Sequence, residues 1–361
     1  MASSILIVKL SSLGDVLHTL PAAQAIRDAF PGIRLGWAVE KAHAPLLDRQ
    51  PWLDERVVWR RHDFRSFCRF VHNLRAGRWD VAIDFQGLLR SALVARLSGA
   101  RRRIGFAPSK EWAHLLYTDR IPLETMDRHA VDRYLDLAGA VGAKFDTAHD
   151  DAPGQAGRRL FPLHPDADDR RAVDFWLAQR GFDPTRQRLV VLNPHCRKDA
   201  NRWPAVRFAA LAGRLLAEPN LRVALSGGSA ARHVCDEIAA AAPKGIWRAD
   251  GQFTLLRSAE LFSRAAVMVT GDTGPMHMAV AVETPVVALF GPALPLRTGP
   301  YSPSAIVINR QLSCSPCFAR RCPLGHNPPL CMDEITVDEV FAATRRQIEL
   351  HGDRNALRRS A

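Results

Sequence analysis

Residues 266–292 read AVMVTGDTGPMHMAVAVETPVVALFGP. The segment opens with an apolar, partly β-branched run that predicts a buried strand, and residues 271–274 supply the chemistry of a tight turn. Pro275 suits the first turn of a helix, and the apolar run 285–290 predicts a second strand. The segment therefore predicts a strand-helix-strand unit of a parallel sheet.

The turn of this unit is a candidate ligand site. A turn from strand to helix points backbone N–H groups and the positive end of the helix dipole at the sheet edge, where anions bind. Asp272 suits a sugar hydroxyl, Thr273 can donate its own hydroxyl, and His277 follows on the first helical turn. The alternative is that Asp272 and Thr273 only cap the helix and that His277 is a surface residue.

Composition narrows the class of protein. The chain has 361 residues, a length that favours two domains, and its 49 basic and 37 acidic residues give a net charge of +12. This charge suits a polyanionic partner, but the sequence has no zinc-finger spacing or RNA-binding aromatic motif, so nucleic acid is not expected. We expect a cytoplasmic protein, because the N-terminus leads directly into a short strand-like run.

That first run, ILIVKL (5–10), precedes a polar turn and a helical stretch. Asp15 is therefore expected at the carboxyl edge of a strand, where parallel sheets bind their ligands. The alternative for Asp15 is a helix N-cap. Pro21 is expected in the first turn of the main helix.

Strand and helix patterns alternate through both halves of the chain, which predicts an α/β protein with parallel sheets. We assign an N-terminal Rossmann-like domain to residues 1–150 and a linker, rich in Asp, Pro and Gly, to 151–168. A C-terminal Rossmann-like domain follows at 169–335, and a final helix and tail at 336–361. Two such halves predict a cleft between them.

Three polar loops are expected at one sheet edge of the second half: HCRKDANRWP (195–204), SGGSAARH (226–233) and GDTGPMH (271–277). Together they predict a pocket for a nucleotide diphosphate. Gly227 permits close approach of a ligand. The basic residues available to phosphate are Arg197, Lys198 and Arg202. No dinucleotide-binding glycine motif and no phosphate-binding P-loop motif is present in the required context.

Four segments carry a family resemblance: SSLGDVLHTLPAAQAIRDAFP (11–31), WDVAIDFQGLLRSAL (79–93), NRWPAVRFAALA (201–212) and GDTGPMHMAVAVETPVVALFGPALPLRTGPY (271–301). In this order they resemble glycosyltransferase family 9, the bacterial ADP-heptose:lipopolysaccharide heptosyltransferases. The first two are most similar to heptosyltransferase I. The resemblance implies a GT-B fold, with the acceptor bound by the N-terminal domain and ADP-heptose by the C-terminal one.

The resemblance also implies roles for single residues in an inverting, metal-independent transfer with no cofactor besides the ADP-sugar. Asp15 matches the general base, and Asp272 matches the aspartate that holds the donor heptose. The other matches are Thr273, Gly274 and His277 at the donor site and Ser11 and Ser12 beside the base. Phe253 falls near the family's apolar contact for adenine.

One position departs from the family pattern. The family usually carries a lysine before the RWP element, and this chain has Asn201 there. We expect Arg197, Lys198 or Arg202 to supply the missing charge. A different donor is therefore an open alternative.

Arginines are the candidates for an acceptor that carries carboxylates and phosphates, such as Kdo-lipid A or a heptosylated core. The acceptor candidates are Arg60, Arg61 and Arg90. The amphipathic pattern at 63–77 fits a helix that enters a membrane interface, or one that simply faces the core. No obligate protein partner is evident from the sequence.

Four cysteines follow a C-x2-C-x4-C-x8-C pattern: Cys314, Cys317, Cys322 and Cys331. We expect a packed thiol-rich loop that binds no metal. The alternative is a zinc site.

The leading hypothesis is an inverting ADP-heptosyltransferase of the lipopolysaccharide inner core, peripheral to the cytoplasmic face of the inner membrane. One alternative is a transferase of the same family with another nucleotide-sugar donor or a later core acceptor. The other is a catalytically silent protein that binds nucleotide-sugars or polyanions. The subtype, the acceptor hydroxyl and the oligomeric state are not fixed by the sequence.

Overall fold

The computed structural model describes residues 2–61, 63–143 and 161–351. The chain divides into two compact units, Met1–His164 and Pro165–Ala361. This division falls within the segment 151–168 assigned as the linker. Residues 151–160 of that segment and residues 352–361 of the C-terminal tail lie outside the described residues.

The first unit is built on one sheet of parallel strands. The strands are β1 (Ser4–Val8), β2 (Arg34–Glu40), β3 (Glu55–Trp59), β4 (Val81–Asp84), β5 (Arg102–Ala107) and β6 (Asp119–Pro122). Their order across the sheet is β3-β2-β1-β4-β5-β6. The central strands β1 and β4 are buried along their whole length, as is typical of parallel strands covered on both faces.

Four α-helices accompany this sheet in the described part of the unit: α1 (Leu13–Ala29), α2 (Phe64–Ala76), α3 (Leu89–Leu97) and α4 (Ala130–Gly139). Helix α1 begins at Leu13, because Ser12 and Asp15 form a capping box at its start. Pro21 consequently lies inside α1, so its predicted place in the first helical turn is wrong.

Helix α2 turns most of its apolar face to the core. Phe70 and Leu74 are buried, and the ring of Phe70 stacks on Trp59 with centroids 5.4 Å apart. Phe64, at the start of the helix, is 77% exposed. The core-facing interpretation therefore describes this helix apart from its first residue.

The second unit repeats the design. Its strands are β7 (Arg188–Asn193), β8 (Leu221–Leu225), β9 (Trp247–Arg248), β10 (Val267–Gly271), β11 (Val286–Phe290) and β12 (Ile306–Asn309). Their order is β12-β11-β10-β7-β8-β9, and all paired strands are parallel. The helices are α5 (Ala167–Ala178), α6 (Ala205–Leu216), α7 (Arg232–Ala241), α8 (Leu255–Arg264), α9 (Gly274–Ala281), α10 (Pro295–Thr298), α11 (Leu330–Asp333) and α12 (Val337–His351).

The two sheets share one strand order. Counted from its own first strand, each sheet runs 3-2-1-4-5-6, the order of doubly wound nucleotide-binding folds. In such sheets the connections leave in opposite directions on either side of the central strand pair, which opens a ligand crevice at the carboxyl ends of that pair. The crevice positions are thus the ends of β1 and β4 in the first unit and of β7 and β10 in the second.

No helix in the described ranges is both long enough and apolar enough to cross a bilayer.

Candidate active site

The crevice of the first unit is organised by buried polar groups at the end of β4. Asp84 is fully buried, and its Oδ1 accepts hydrogen bonds from the backbone N–H of Gln86 (2.8 Å) and of Gly87 (3.2 Å). Burial raises the pKa of Asp84, against the effect of these bonds and of the Tyr117 hydroxyl. Gln86 in turn accepts from the backbone N–H of Leu10 at 2.9 Å, so the end of β4 fixes the loop that follows β1.

Asp15 projects from that loop at the third residue of α1. Its Oδ2 accepts from the Ser12 backbone N–H at 3.0 Å and from the Ser12 hydroxyl at 2.8 Å. Its Oδ1 lies 3.9 Å from the ammonium nitrogen of Lys9. The side chain is 42% exposed, so a carboxylate held in place on the protein side also faces solvent. Asp15 does stabilise the helix start, but Ser12, rather than Asp15, occupies the N-cap position.

Two of the three acceptor candidates gather near this loop. The Arg90 guanidinium donates to the Ser11 hydroxyl at 3.2 Å and pairs with Glu40 at 2.9 Å. Arg61 approaches the same Glu40 carboxylate at 3.8 Å, and both guanidinium groups lie within 6 Å of the Trp59 ring.

The third candidate, Arg60, is exposed. Among the described residues its hydrogen bond is made by the backbone carbonyl, which accepts from the Ser66 hydroxyl. The structure therefore joins Arg90 directly to Ser11 and places Arg61 at the same Glu40 carboxylate, whereas no described contact links Arg60 to this group.

The crevice of the second unit brings Asp272 against Asn201. The Asn201 amide donates to the Asp272 Oδ2 at 3.1 Å, and its side chain is buried. Cys196, from the loop after β7, is buried beside them, and burial together with the Asp272 charge raises its pKa to about 12. Gly271 is required here, since a Cβ atom at this position would lie 2.7 Å from the Cys196 sulfur.

Helix α9 begins at Gly274, two residues after Asp272. Thr273 is its N-cap with extended backbone angles, and Gly274 and Pro275 form the first helical positions. The Thr273 side chain makes no capping hydrogen bond, and His277 is buried at 7% exposure. His277 is therefore not a surface residue, so this part of the alternative is wrong. Thr273 does occupy the N-cap position, and the ligand roles of Asp272 and Thr273 stay predictions.

The basic residues of the loop after β7 differ in their partners. Arg202 donates to the Cys196 carbonyl at 2.9 Å and pairs with Asp199 at 3.0 Å. Within the described ranges, Arg197 and Lys198 form no ion pair with an acidic side chain. Their charges are thus the ones available to an incoming anion.

Gly227 and Phe253 lie on neighbouring loops of the second unit. Gly227 has φ near +150°, its carbonyl accepts from the Gly251 N–H at 2.8 Å, and a Cβ atom would meet Ala231 at 2.4 Å. Phe253, two residues beyond Gly251, packs edge-on against Trp176 with centroids 5.6 Å apart.

Comparison with known proteins decides the family. Residues 67–327 match the model of glycosyltransferase family 9 (heptosyltransferase). The chain belongs to glycosyltransferase family 9. A similar curated protein is lipopolysaccharide heptosyltransferase 1 of Pseudomonas aeruginosa, which is 31% identical over 364 residues, with 93% of this chain and 95% of that protein covered.

Solved structures of the family share the fold. The glycosyl transferase family 9 protein from Veillonella parvula superposes with a TM-score of 0.79 at 22% identity, covering 96% of this chain and 97% of its own. E. coli heptosyltransferase WaaC with ADP gives a TM-score of 0.72 at 23% identity, covering 95% and 99%. The predicted α/β, GT-B fold is thus confirmed, and this family 9 member is a glycosyltransferase.

The four cysteines of this family 9 chain line one small cavity together with His326. Burial is the largest cause that raises the pKa of the Cys331 thiol, and the neighbouring Cys314, Cys317 and Cys322 raise it further. In the described part of the chain, no group of three or more His, Cys, Asp or Glu side chains is arranged to hold a metal ion. This geometry does not support the zinc alternative.

Sequence reasoning missed Lys9, Gln86 and Tyr134 at the crevice of the first unit. Lys9 is only 2% exposed, and its ammonium donates to the Phe85 carbonyl at 2.9 Å and to the Tyr134 hydroxyl at 2.6 Å. The available signal was a lysine inside the apolar run ILIVKL, because a charge at the end of a buried strand needs a partner.

Proposed function

We propose that this family 9 enzyme transfers heptose from ADP-heptose to the Kdo or heptose inner core of lipopolysaccharide, with inversion and with Asp15 as general base. The observation that carries the proposal is the half-exposed Asp15 carboxylate at the carboxyl end of β1, held by Ser12 and flanked by Arg90 at Ser11. Two comparisons support it: a relative named lipopolysaccharide heptosyltransferase 1 and a similar fold with ADP.

The reaction needs one proton transfer and one displacement. The Asp15 carboxylate takes the proton of the acceptor hydroxyl as the hydroxyl oxygen bonds to the anomeric carbon of the donor. The bond from that carbon to the ADP oxygen breaks on the opposite face, which inverts the configuration and releases ADP. General-base assistance of this kind contributes about 100- to 10,000-fold.

On the donor side, we assign the sugar hydroxyls to Asp272 and the diphosphate to the backbone N–H groups at Thr273 and Gly274, where the dipole of α9 favours negative charge. Arg197 and Lys198 supply positive charge. His277, Asn201, Arg202, Gly227 and Phe253 complete the proposed donor site.

We further propose that catalysis needs no metal or other cofactor and that the enzyme works at the cytoplasmic face of the inner membrane. The net charge of +12 supports attraction to an anionic lipid surface. Turnover unchanged by a chelator, and salt-sensitive sedimentation with vesicles of anionic lipid, are the expected results.

The decisive experiment measures ADP release from ADP-heptose with Kdo2-lipid A as acceptor. Wild type should turn over, while Asp15→Asn should lose at least about 100-fold in kcat and keep its affinity for ADP. If wild type binds ADP but releases none from ADP-heptose, the proposed donor or the proposed acceptor is wrong. Equal turnover by both proteins would refute the role of Asp15.

A second candidate is a family transferase with a different nucleotide-sugar donor. Asn201 favours it, because a neutral amide, in place of the lysine usual in the family, contacts Asp272. Competition between ADP-heptose and other nucleotide-sugars in the same assay separates the two functions.

A further inference from the structure

The ammonium group of Lys9 is buried and lies 3.9 Å from the Asp15 carboxylate. The backbone of Lys9 continues β1: its N–H donates to the Ala38 carbonyl at 3.3 Å, and its carbonyl accepts from the Trp37 indole at 3.1 Å. These two bonds hold the residue beside β2. Its side chain reaches the Phe85 carbonyl and the Tyr134 hydroxyl.

The partners of the ammonium divide into two kinds. Two neutral oxygens, the Phe85 carbonyl and the Tyr134 hydroxyl, accept its hydrogen bonds, and its nitrogen lies 4.5 Å from the centre of the Tyr134 ring. The carboxylate of Asp15 is its ion-pair partner at 3.9 Å, beyond hydrogen-bonding distance. Lys9 thus acts on Asp15 through charge, while the neutral oxygens fix where that charge sits.

Burial alone lowers the pKa of a lysine, since it penalises the charged form. Here the Tyr134 hydroxyl, which accepts a hydrogen bond from the ammonium, and the charge of Asp15 together outweigh burial, and the pKa of Lys9 is raised. The group is therefore an ammonium throughout the neutral range. An ammonium placed this close to a carboxylate stabilises the deprotonated carboxylate.

Other titratable groups surround this pair. His18, one helical turn beyond Asp15, packs edge-on against His129 at 5.0 Å between centroids. Further groups nearby are Asp84 at the end of β4, Arg133 and Tyr134 on α4, and Arg90 with Glu40 at the Ser11 loop. Lys9 pairs with the Asp15 carboxylate at 3.9 Å.

We propose that Lys9, anchored by Tyr134 and the Phe85 carbonyl, is a positioning residue that keeps the Asp15 carboxylate deprotonated and in place for catalysis. This inference rests on the proposed role of Asp15 as the base. The pH range of the enzyme is then set from inside the first unit, by a side chain that is only 2% exposed.

The test compares pH profiles of kcat/KM for ADP release, which report the ionisations of the free enzyme. In Lys9→Met the acid limb should move to higher pH by about one unit, so the rate on that limb falls about tenfold. At high pH the rate should return towards that of wild type. Lys9→Gln keeps a hydrogen-bond donor for the Phe85 carbonyl and should show the same shift. It serves as the test variant if Lys9→Met does not fold.

The matched control is Lys244→Met, the same chemical change at an exposed position before β9 in the second unit. Its profile should superimpose on that of wild type. A uniform loss of rate at every pH in Lys9→Met and Lys9→Gln, with no movement of the acid limb, would overturn the inference and reduce Lys9 to a structural role.

A second readout does not depend on the donor. In protein labelled at aspartate Cγ, the resonance lost in Asp15→Asn identifies Asp15, and its titration can be followed by NMR without turnover. Lys9→Met should raise the titration midpoint of this resonance, and an unchanged midpoint refutes the inference. If the midpoint rises but wild type shows no turnover, the proposed function fails and the pairing of Lys9 with Asp15 stands.

Discussion

Replacing Gly271 by alanine tests the packing that holds the donor crevice together. Gly271 ends β10 directly before Asp272, and an added Cβ atom would lie 2.7 Å from the Cys196 sulfur and 3.1 Å from the Asn201 carbonyl oxygen. Ordinary contacts begin near 3.4 Å, so the sulfur or the backbone must move by about 0.7 Å. Overpacking of a buried site costs about 1–3 kcal/mol.

Thermal denaturation measures this cost. Each kcal/mol lowers the Tm of a domain of this size by about 2–4 °C. The matched control is Gly228→Ala, because no atom lies within 4 Å of the added Cβ and φ is −74°, an angle open to alanine. We also expect kcat/KM for the donor to fall about tenfold in Gly271→Ala, as the displacement reaches Asp272.

A second substitution decides whether the sulfur is the cause. The double variant Gly271→Ala with Cys196→Ala lacks the sulfur atom that the added Cβ would meet. Its loss of stability should therefore be smaller than the sum of the losses in the two single variants. If the two losses of stability simply add, the contact with the sulfur does not explain the effect of Gly271→Ala.

Three further results are expected. Gln86→Leu leaves the Leu10 N–H without its acceptor and should lower the free energy of unfolding by about 1–3 kcal/mol, measured by urea denaturation; an unchanged midpoint contradicts this. Asn201→Ala removes one hydrogen bond at the donor crevice and should raise the donor KM about two- to tenfold, with kcat less affected. The hydrogen bond from Arg310 is the largest cause that lowers the pKa of Glu339 from 4.5 to about 2. The ionised Glu339 therefore stabilises the fold above pH 4.5, and this stabilisation is lost as the pH falls towards 2. Because the pair is partly exposed, Glu339→Gln should lower the free energy of unfolding by about 1 kcal/mol or less at pH 7. Melting curves recorded at several pH values should show this difference disappearing as the pH falls from 4.5 towards 2.

The central strands could be predicted from the sequence because each is a continuous apolar run. The run ILIVKL at 5–10 overlaps β1, and the pattern at 63–77 matches α2 within one residue at each end. The outer strands β5 and β6 of the first sheet were missed. Their segments RRIGFA and DRIP mix charged and apolar residues and are only partly buried, so neither an apolar run nor a strict alternation marks them.

The site residues also differ in whether neighbouring sequence alone could indicate them. Asp15 and Asp272 each lie in the polar turn that follows a predicted strand, so local sequence places them at a sheet edge. Their proposed roles come from the family resemblance, since local sequence alone left helix capping open for both. The contact between Lys9 and Tyr134 joins residues 125 positions apart, and that between Gln86 and Leu10 joins residues 76 apart. Only the folded sheet brings such pairs together, and no motif in a single sequence records them.

The repeated strand order has a consequence for how specificity can change in this family. Each half of the chain carries its own sheet and its own crevice, one assigned to the acceptor and one to the donor. We expect a substitution that reshapes one crevice to act on the packing of the sheet that carries it. Acceptor choice and donor choice can therefore evolve as separate modules, and a chimera that joins the first half of one family member to the second half of another is the natural way to recombine them.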